Sequence, residues 1–174
     1  QSEQNLGQVL NELKPDVYVG TKVRIRPDEM GDLRGAIHRS VEASLTRMAR
    51  EQVDLIQLHN HIVQRRTPGG ERESALTSQE VLEDVITAFR QLQADGKVRF
   101  YGITGLGDTA ALFEIINSTL LHTVQVCYNL LNPSAGYPVP KGFPSQDFHL
   151  LIDRATAQGM GSIGIRVLAA GALS

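Results

Sequence analysis

The chain has a single cysteine, Cys127, among 174 residues. No disulfide can form within it, and a reducing, cytoplasmic setting is expected. It lacks an excess of either charge, with 17 basic and 19 acidic side chains and a formal net charge of −2. That balance excludes the positive field that gathers proteins onto nucleic acid or an anionic membrane surface, so neither partner is expected. No apolar run approaches the roughly 20 residues that span a bilayer. No basic-then-apolar signal segment follows Gln1, and because the first residue is not Met, the chain is expected to be cut at its start. Low-complexity tracts are absent, and no segment repeats another in sequence. With 41% hydrophobic and 21% charged residues, one domain with a sizeable core is expected.

Apolar residues at Leu6, Val9, Leu10 and Leu13 follow the spacing of a helix face from Ser2 to Leu13, with Pro15 beyond its end. "DVYVGTKV" alternates as a strand does. Leu33, Ile37, Val41, Leu45 and Met48 fall on one helical stripe, and "VDLIQL" (53–58) reads as the next strand. A polar loop containing "RRTPGGERE" leads to "TSQE", a capping box in which Thr77 and Glu80 start a helix. That helix should run to about Asp95, where Gly96 stops it. "KVRFYGIT" then predicts a strand, Asp108 or Thr109 the start of a helix through Ile116, and "TVQVCYNLL" a further strand. Phe148 to Gln158 is expected to be helical and "GSIGIRVL" to be a strand. Strand starts near 17, 53, 98, 123 and 161, separated by crossover helices, predict a parallel sheet, either doubly wound or part of a (β/α)₈ barrel. "NPSAGYPVPKGFPSQ" (132–146) is longer than usual connections and reads as a lid or specificity loop.

In parallel α/β folds, the chemistry gathers where the strands end. Those ends read Lys22 after "YVGT", His59 after "LIQL", Thr104 and Gly105 after "FYGI", Tyr128 and Asn129 after "VQVC", and Val167 and Leu168 after "IGIR". "HNH" puts His59 and His61 on one side of the chain, a pairing that could hold a divalent ion for hydrolysis. A metal site needs further ligands, however, and His122 precedes its strand, His38 and His149 fall in predicted helices, and no carboxylate stands at a strand end. "GITGLG" lacks the spacing of a dinucleotide fingerprint and the Gly-Lys-Ser/Thr of a phosphate loop. "GLGD" reads instead as a tight turn with Asp108 as a helix cap. Cys127, inside an apolar strand, reads as a buried core residue.

Taken together these segments resemble the aldo-keto reductase family, (β/α)₈ barrels that reduce carbonyls or oxidise alcohols with nicotinamide cofactors. "SEQNLGQVL" resembles the segment after the family's second strand, and "VGTKV" the third strand with its catalytic lysine. "VDLIQLH" resembles the fourth with its active-site histidine, "GKVRFYGITG" the fifth, "VQVCYNLLNP" the sixth, and "GIRVLAAGALS" the seventh and its glycine-bearing loop. The resemblance implies that Lys22 lowers the pKa of a tyrosine acid and that His59 orients the carbonyl of a small aldehyde, ketone or alcohol. His61 carries no family role. For the cofactor, with NADP(H) expected over NAD(H), it implies Thr104, Gly105 and Gln125 at the carboxamide. Val167 stands where an aromatic often stacks, and Leu168 and Gly171 stand near the pyrophosphate. Thr104 and Gly105 replace the family's usual Ser-Asn.

The family's Asp and Tyr precede the Ser-Glu segment, and its eighth strand follows the seventh. Residues 1–174 are therefore expected to be the central fragment of a single barrel domain, lacking strands one, two and eight and inactive alone. Such a fragment leaves open strand edges and is expected to be poorly stable. The alternatives are a non-catalytic cofactor-binding or regulatory barrel subunit, and the metal-dependent hydrolase using His59 and His61. Within redox chemistry, the alternative is sugar or lactol oxidation with NAD.

Overall fold

The computed structural model describes residues 1–66 and 73–173; the tip of the predicted loop "RRTPGGERE" lies outside them. Helix α1 (Ser2–Leu13) is followed by strand β1 (Gly20–Val23), helix α2 (Leu33–Met48) and strand β2 (Val53–Leu58). Two short strands, β3 (Ile62–Val63) and β4 (Leu76–Thr77), pair in parallel. The next helix comprises α3 (Ser78–Glu80), a π-helical turn at Val81–Val85, and α4 (Ile86–Ala94). Strand β5 (Val98–Thr104), helix α5 (Thr109–Asn117), strand β6 (Thr123–Cys127), helix α6 (Leu151–Ala157) and strand β7 (Gly161–Ile165) complete the order.

β1, β2, β5, β6 and β7 form one parallel sheet in that order. Side chains alternate between its faces. Ile56, Leu58, Tyr101, Ile103, Val124 and Val126 point into a core shared with the stripes of α2, α4 and α5. α2 shows how sequence sets an element: Asp32 accepts the Gly35 N–H at 2.9 Å to start it, and its predicted stripe is buried throughout. The other face of the sheet carries Leu55, Gln57, Phe100, Gly102, Thr123, Gln125 and Ile163, with no helix over it among the described residues.

Several boundaries differ from those the sequence implies. β1 begins at Gly20, because Asp54 Oδ2 takes the Val19 N–H at 2.8 Å and the amides of Asp54 and Leu55 both turn to the Val19 carbonyl. α1 buries Gly7 and Leu10, while Leu6, Val9 and Leu13 stay exposed. It sits so close to the end of α2 that a Cβ on Gly7 would strike the Met48 backbone. β6 stops at Cys127, since Asn129 and Asn132 close a turn that leaves Leu130 and Leu131 exposed. His149 and Leu150 have left-handed backbones, φ 48° and 58°, so α6 starts only at Leu151. β7 ends before Arg166, whose φ is 54°. Cys127 is half-buried rather than enclosed, being on the open face.

Candidate active site

The two strands that carry Lys22 and His59 lie side by side in a fixed register, Lys22 opposite Gln57 and Val23 opposite Leu58. One step further the ladder continues, with the His59 N–H donating to the Val23 carbonyl at 2.8 Å. Asn60 then locks it. Its Oδ1 accepts the Ile25 N–H at 2.9 Å and its Nδ2 donates to the Ile25 carbonyl at 2.8 Å. Nδ2 also donates to the Ser74 carbonyl at 2.6 Å. Residue 24 therefore sits opposite residue 59. Val23 and Ile25 are buried among the helices, so the alternation turns Lys22 and Arg24 to the open face.

The register carries this row across the sheet. β2 pairs Leu58 with Ile103, which sets His59 beside Thr104; Thr104 pairs with Gln125, and Gln125 with Ile163. Thr104 Oγ1 lies 3.2 Å from Gln125 Oε1 and donates to it. The Gly105 N–H donates to the Gln125 carbonyl at 2.7 Å, an approach with no room for a side chain at 105, whose Cβ would come 2.7 Å from that oxygen. The row beneath holds Lys22, Gln57, Gly102, Thr123 and Gly161. There Gln57 Nε2 donates to Thr123 Oγ1 at 3.1 Å over the bare Gly102. Gln57 Oε1 is buried and without a hydrogen-bond partner among the described residues.

Burial holds the His59 imidazole below its usual pKa, and the charges of Lys22, Arg24 and Arg166 push it further down. It is neutral at neutral pH, a form with one N–H to donate.

Lys22, His59, Thr104, Gly105 and Gln125 thus come together at the carboxyl ends of adjacent strands. Val167, Leu168 and Gly171 do not join that row. They belong to an exposed turn after β7, in which the Gly171 N–H donates to the Leu168 carbonyl at 2.9 Å. Asp108 begins α5 without a side-chain cap; its carboxylate instead accepts the Gln64 N–H at 3.1 Å. Arg66 donates to the Ala75 carbonyl and pairs with Glu80. No group of three or more His, Cys, Asp or Glu able to hold a metal occurs among the described residues. No helix there is long and apolar enough to cross a membrane.

Sequence reasoning missed four residues. Asn60 stands in the sequence only as the residue between two histidines, and Gln57 as the one amide in a largely apolar run. Arg24 was legible: in "KVRI" it stands two residues after Lys22 on the same side of an extended strand. Arg166 lay hidden inside a strand drawn too long.

The profile of the aldo/keto reductase family matches residues 1–174, and the chain belongs to that family. Its fold is similar to an aldo/keto reductase from Klebsiella pneumoniae solved in complex with NADP and acetate. The TM-score is 0.66 at 25% identity, covering 99% of this chain and 50% of that one. An aldo-keto reductase of Bacillus halodurans in its holo form shares the fold with a TM-score of 0.65 at 24% identity over 99% of this chain and 48% of its own. The uncharacterized oxidoreductase YqkF of Bacillus subtilis is 27% identical over 137 residues, 75% of this chain and 40% of that protein. The chain thus spans about half the length of these solved relatives, and its sheet is five strands of a (β/α)₈ barrel.

Proposed function

We propose that this chain is the central part, strands three to seven, of a barrel oxidoreductase that reduces aldehydes or ketones, or oxidises the corresponding alcohols. The observation that carries the reading is the row of Arg24, His59, Thr104 and Gln125 with Lys22 one step below, all turned to the face that a closed barrel encloses. A phenol ionises near pH 10 and needs help to exchange a proton at neutral pH; a neighbouring ammonium favours its phenolate. Lys22 has that role toward a tyrosine contributed by another segment of the barrel. His59, kept neutral, donates its N–H to the substrate oxygen as negative charge develops there. NADP(H), rather than NAD(H), supplies or accepts the hydride when bound.

The residues present suit a nicotinamide. Thr104 fixes the Gln125 amide by occupying its Oε1, which leaves Nε2 to donate to a carboxamide oxygen. Gly105 adds no bulk beside it. Val167 offers an aliphatic surface in place of a ring, and Leu168 and Gly171 complete the cofactor side through their turn. The Klebsiella pneumoniae relative's complex with NADP supports the choice of cofactor. A cytoplasmic location and a small carbonyl substrate complete the proposal. A regulatory barrel without turnover has no use for a neutral histidine beside a lysine.

The test is a steady-state assay of the complete coding sequence with NADPH and a panel of aldehydes. Turnover is expected, with kcat falling about 10²-fold or more on Lys22→Met or His59→Leu. NADPH binding without turnover on any carbonyl would favour the regulatory reading. The 174 residues alone are expected to be inactive.

A further inference from the structure

β1 and the residue just past its end present two cations, Lys22 and Arg24, to the open face, and only one of them has a part in the chemistry above. Lys22 stands opposite Gln57. Arg24 stands opposite His59 in a register that Asn60 fixes by bonding both backbone groups of Ile25. Adjacent strands lie about 4.8 Å apart, so an arginine side chain on this face sweeps the space in front of the imidazole. Its charge reaches His59, as do those of Lys22 and Arg166.

None of these three cations forms an ion pair among the described residues. Arg26, two residues further along and outside the row, meets both Asp28 and Glu29. Among the described residues, carboxylates thus meet the arginine away from His59 and none meets the one beside it. The aspartate that the family resemblance implies near Lys22 would answer one charge and leave Arg24 and Arg166 open. Guanidinium groups bind carboxylate and phosphate through paired N–H donors, and each such charge-assisted contact is stronger than a neutral one.

We propose that Arg24 is a specificity-determining residue that receives an anionic group, carboxylate or phosphate, carried by the carbonyl substrate a few atoms from its reacting carbon. The inference rests on the oxidoreductase reading and adds the substrate class to it. A phosphate of the cofactor offers the same chemistry, and the experiment separates the two sources.

In the complete enzyme, kcat/KM is compared for succinate semialdehyde and for n-butanal, which has the same carbon count without the charge. Arg24→Gln is expected to lower the ratio of the two by roughly ten- to a hundredfold. Arg24→Lys should lower it less, and Arg26→Gln, whose cation is already paired, should leave it within about twofold. Added salt should weaken the wild-type preference for the anion. An unchanged ratio in Arg24→Gln overturns the proposal, as does a rise confined to the KM of NADPH, which would assign the arginine to a cofactor phosphate. If neither these two nor any other aldehyde of the panel turns over, the oxidoreductase reading fails by itself. The anion site is then judged by the His59 imidazole NMR shift on adding succinate, expected in wild type and lost in Arg24→Gln. No shift in wild type overturns the site as well.

Discussion

His59 is a base surrounded by reasons not to take a proton. Burial is the first of them, and the charge of Lys22 is the second. Replacing Lys22 by Met removes one repulsion and should move the His59 titration up toward its ordinary value of about 6.5, read from the imidazole proton shifts. A downward move or no move would separate the two side chains and break the proposed site. Because the folded value lies below the unfolded one, His59 contributes stability that is fully present above about pH 6.5 and is lost as pH falls through the folded pKa. In Lys22→Met that acid loss should shrink. Asn60 sets the geometry on which this coupling depends. It is 2% exposed, and its amide satisfies the N–H and carbonyl of Ile25 and the carbonyl of Ser74. Asn60→Leu keeps the volume and orphans all of them. At about 1–3 kcal/mol for a buried group left unmade, the loss should be on the order of 3 kcal/mol in urea unfolding of the complete enzyme.

At the scale of the element, the helix beginning at Ser78 is held at its start by more than its sequence motif. Thr77 and Glu80 exchange the reciprocal bonds of a capping box, and Arg66 reaches from the preceding loop to the same carboxylate. Burial is the largest influence on Glu80 and works to raise its pKa, but the bonds from Arg66 and Thr77 together outweigh it and the carboxyl ends below its ordinary value. Its contribution is therefore present above about pH 4.5 and lost as pH falls through the folded pKa. Thr77→Ala should cost about 1 kcal/mol, and Glu80→Gln should flatten the acid limb of a stability–pH curve. The capping box was legible because it is a local pattern of four residues. The Arg66 contact was not, since it joins residues 14 apart. The same division explains the boundaries. The starts of β2, β5, β6 and β7 followed from apolar runs, whereas the start of α6 and the end of β7 did not, because the backbone turns left-handed at Leu150 and Arg166 with no glycine there to announce it. Lys22 and His59 stood out at strand ends and took their roles from the resemblance; the side Arg24 faces was legible from its spacing to Lys22, but its place beside His59, like the role of Asn60, depends on which residue lies opposite rather than which lies next.

The whole molecule is a sheet with one covered face and two unpaired edges. Among the described residues, β1 bonds only to β2, and β7 only to β6. Opposite the helices, Leu55, Phe100 and Leu121 line an apolar hollow of about 630 Å³ together with Tyr18 and His122. Phe100 is 44% exposed and Ile163, on the same face, 38%. This hollow lies toward the amino ends of the strands, away from Lys22 and His59, so it is an uncovered barrel interior rather than a substrate pocket. Each large apolar side chain left in water forfeits about 1.5–3 kcal/mol of burial, and open parallel edges offer a template for further strands. The 174 residues purified alone should therefore associate in a concentration-dependent way by sedimentation. Phe100→Asp should reduce that association without restoring a cooperative unfolding transition, because it removes the adhesive face and leaves the edges unpaired. A monomer at 100 µM (about ten times a typical assay concentration) with a sharp urea transition would show that five strands suffice, and the proposal that other barrel segments complete the fold would fall with it.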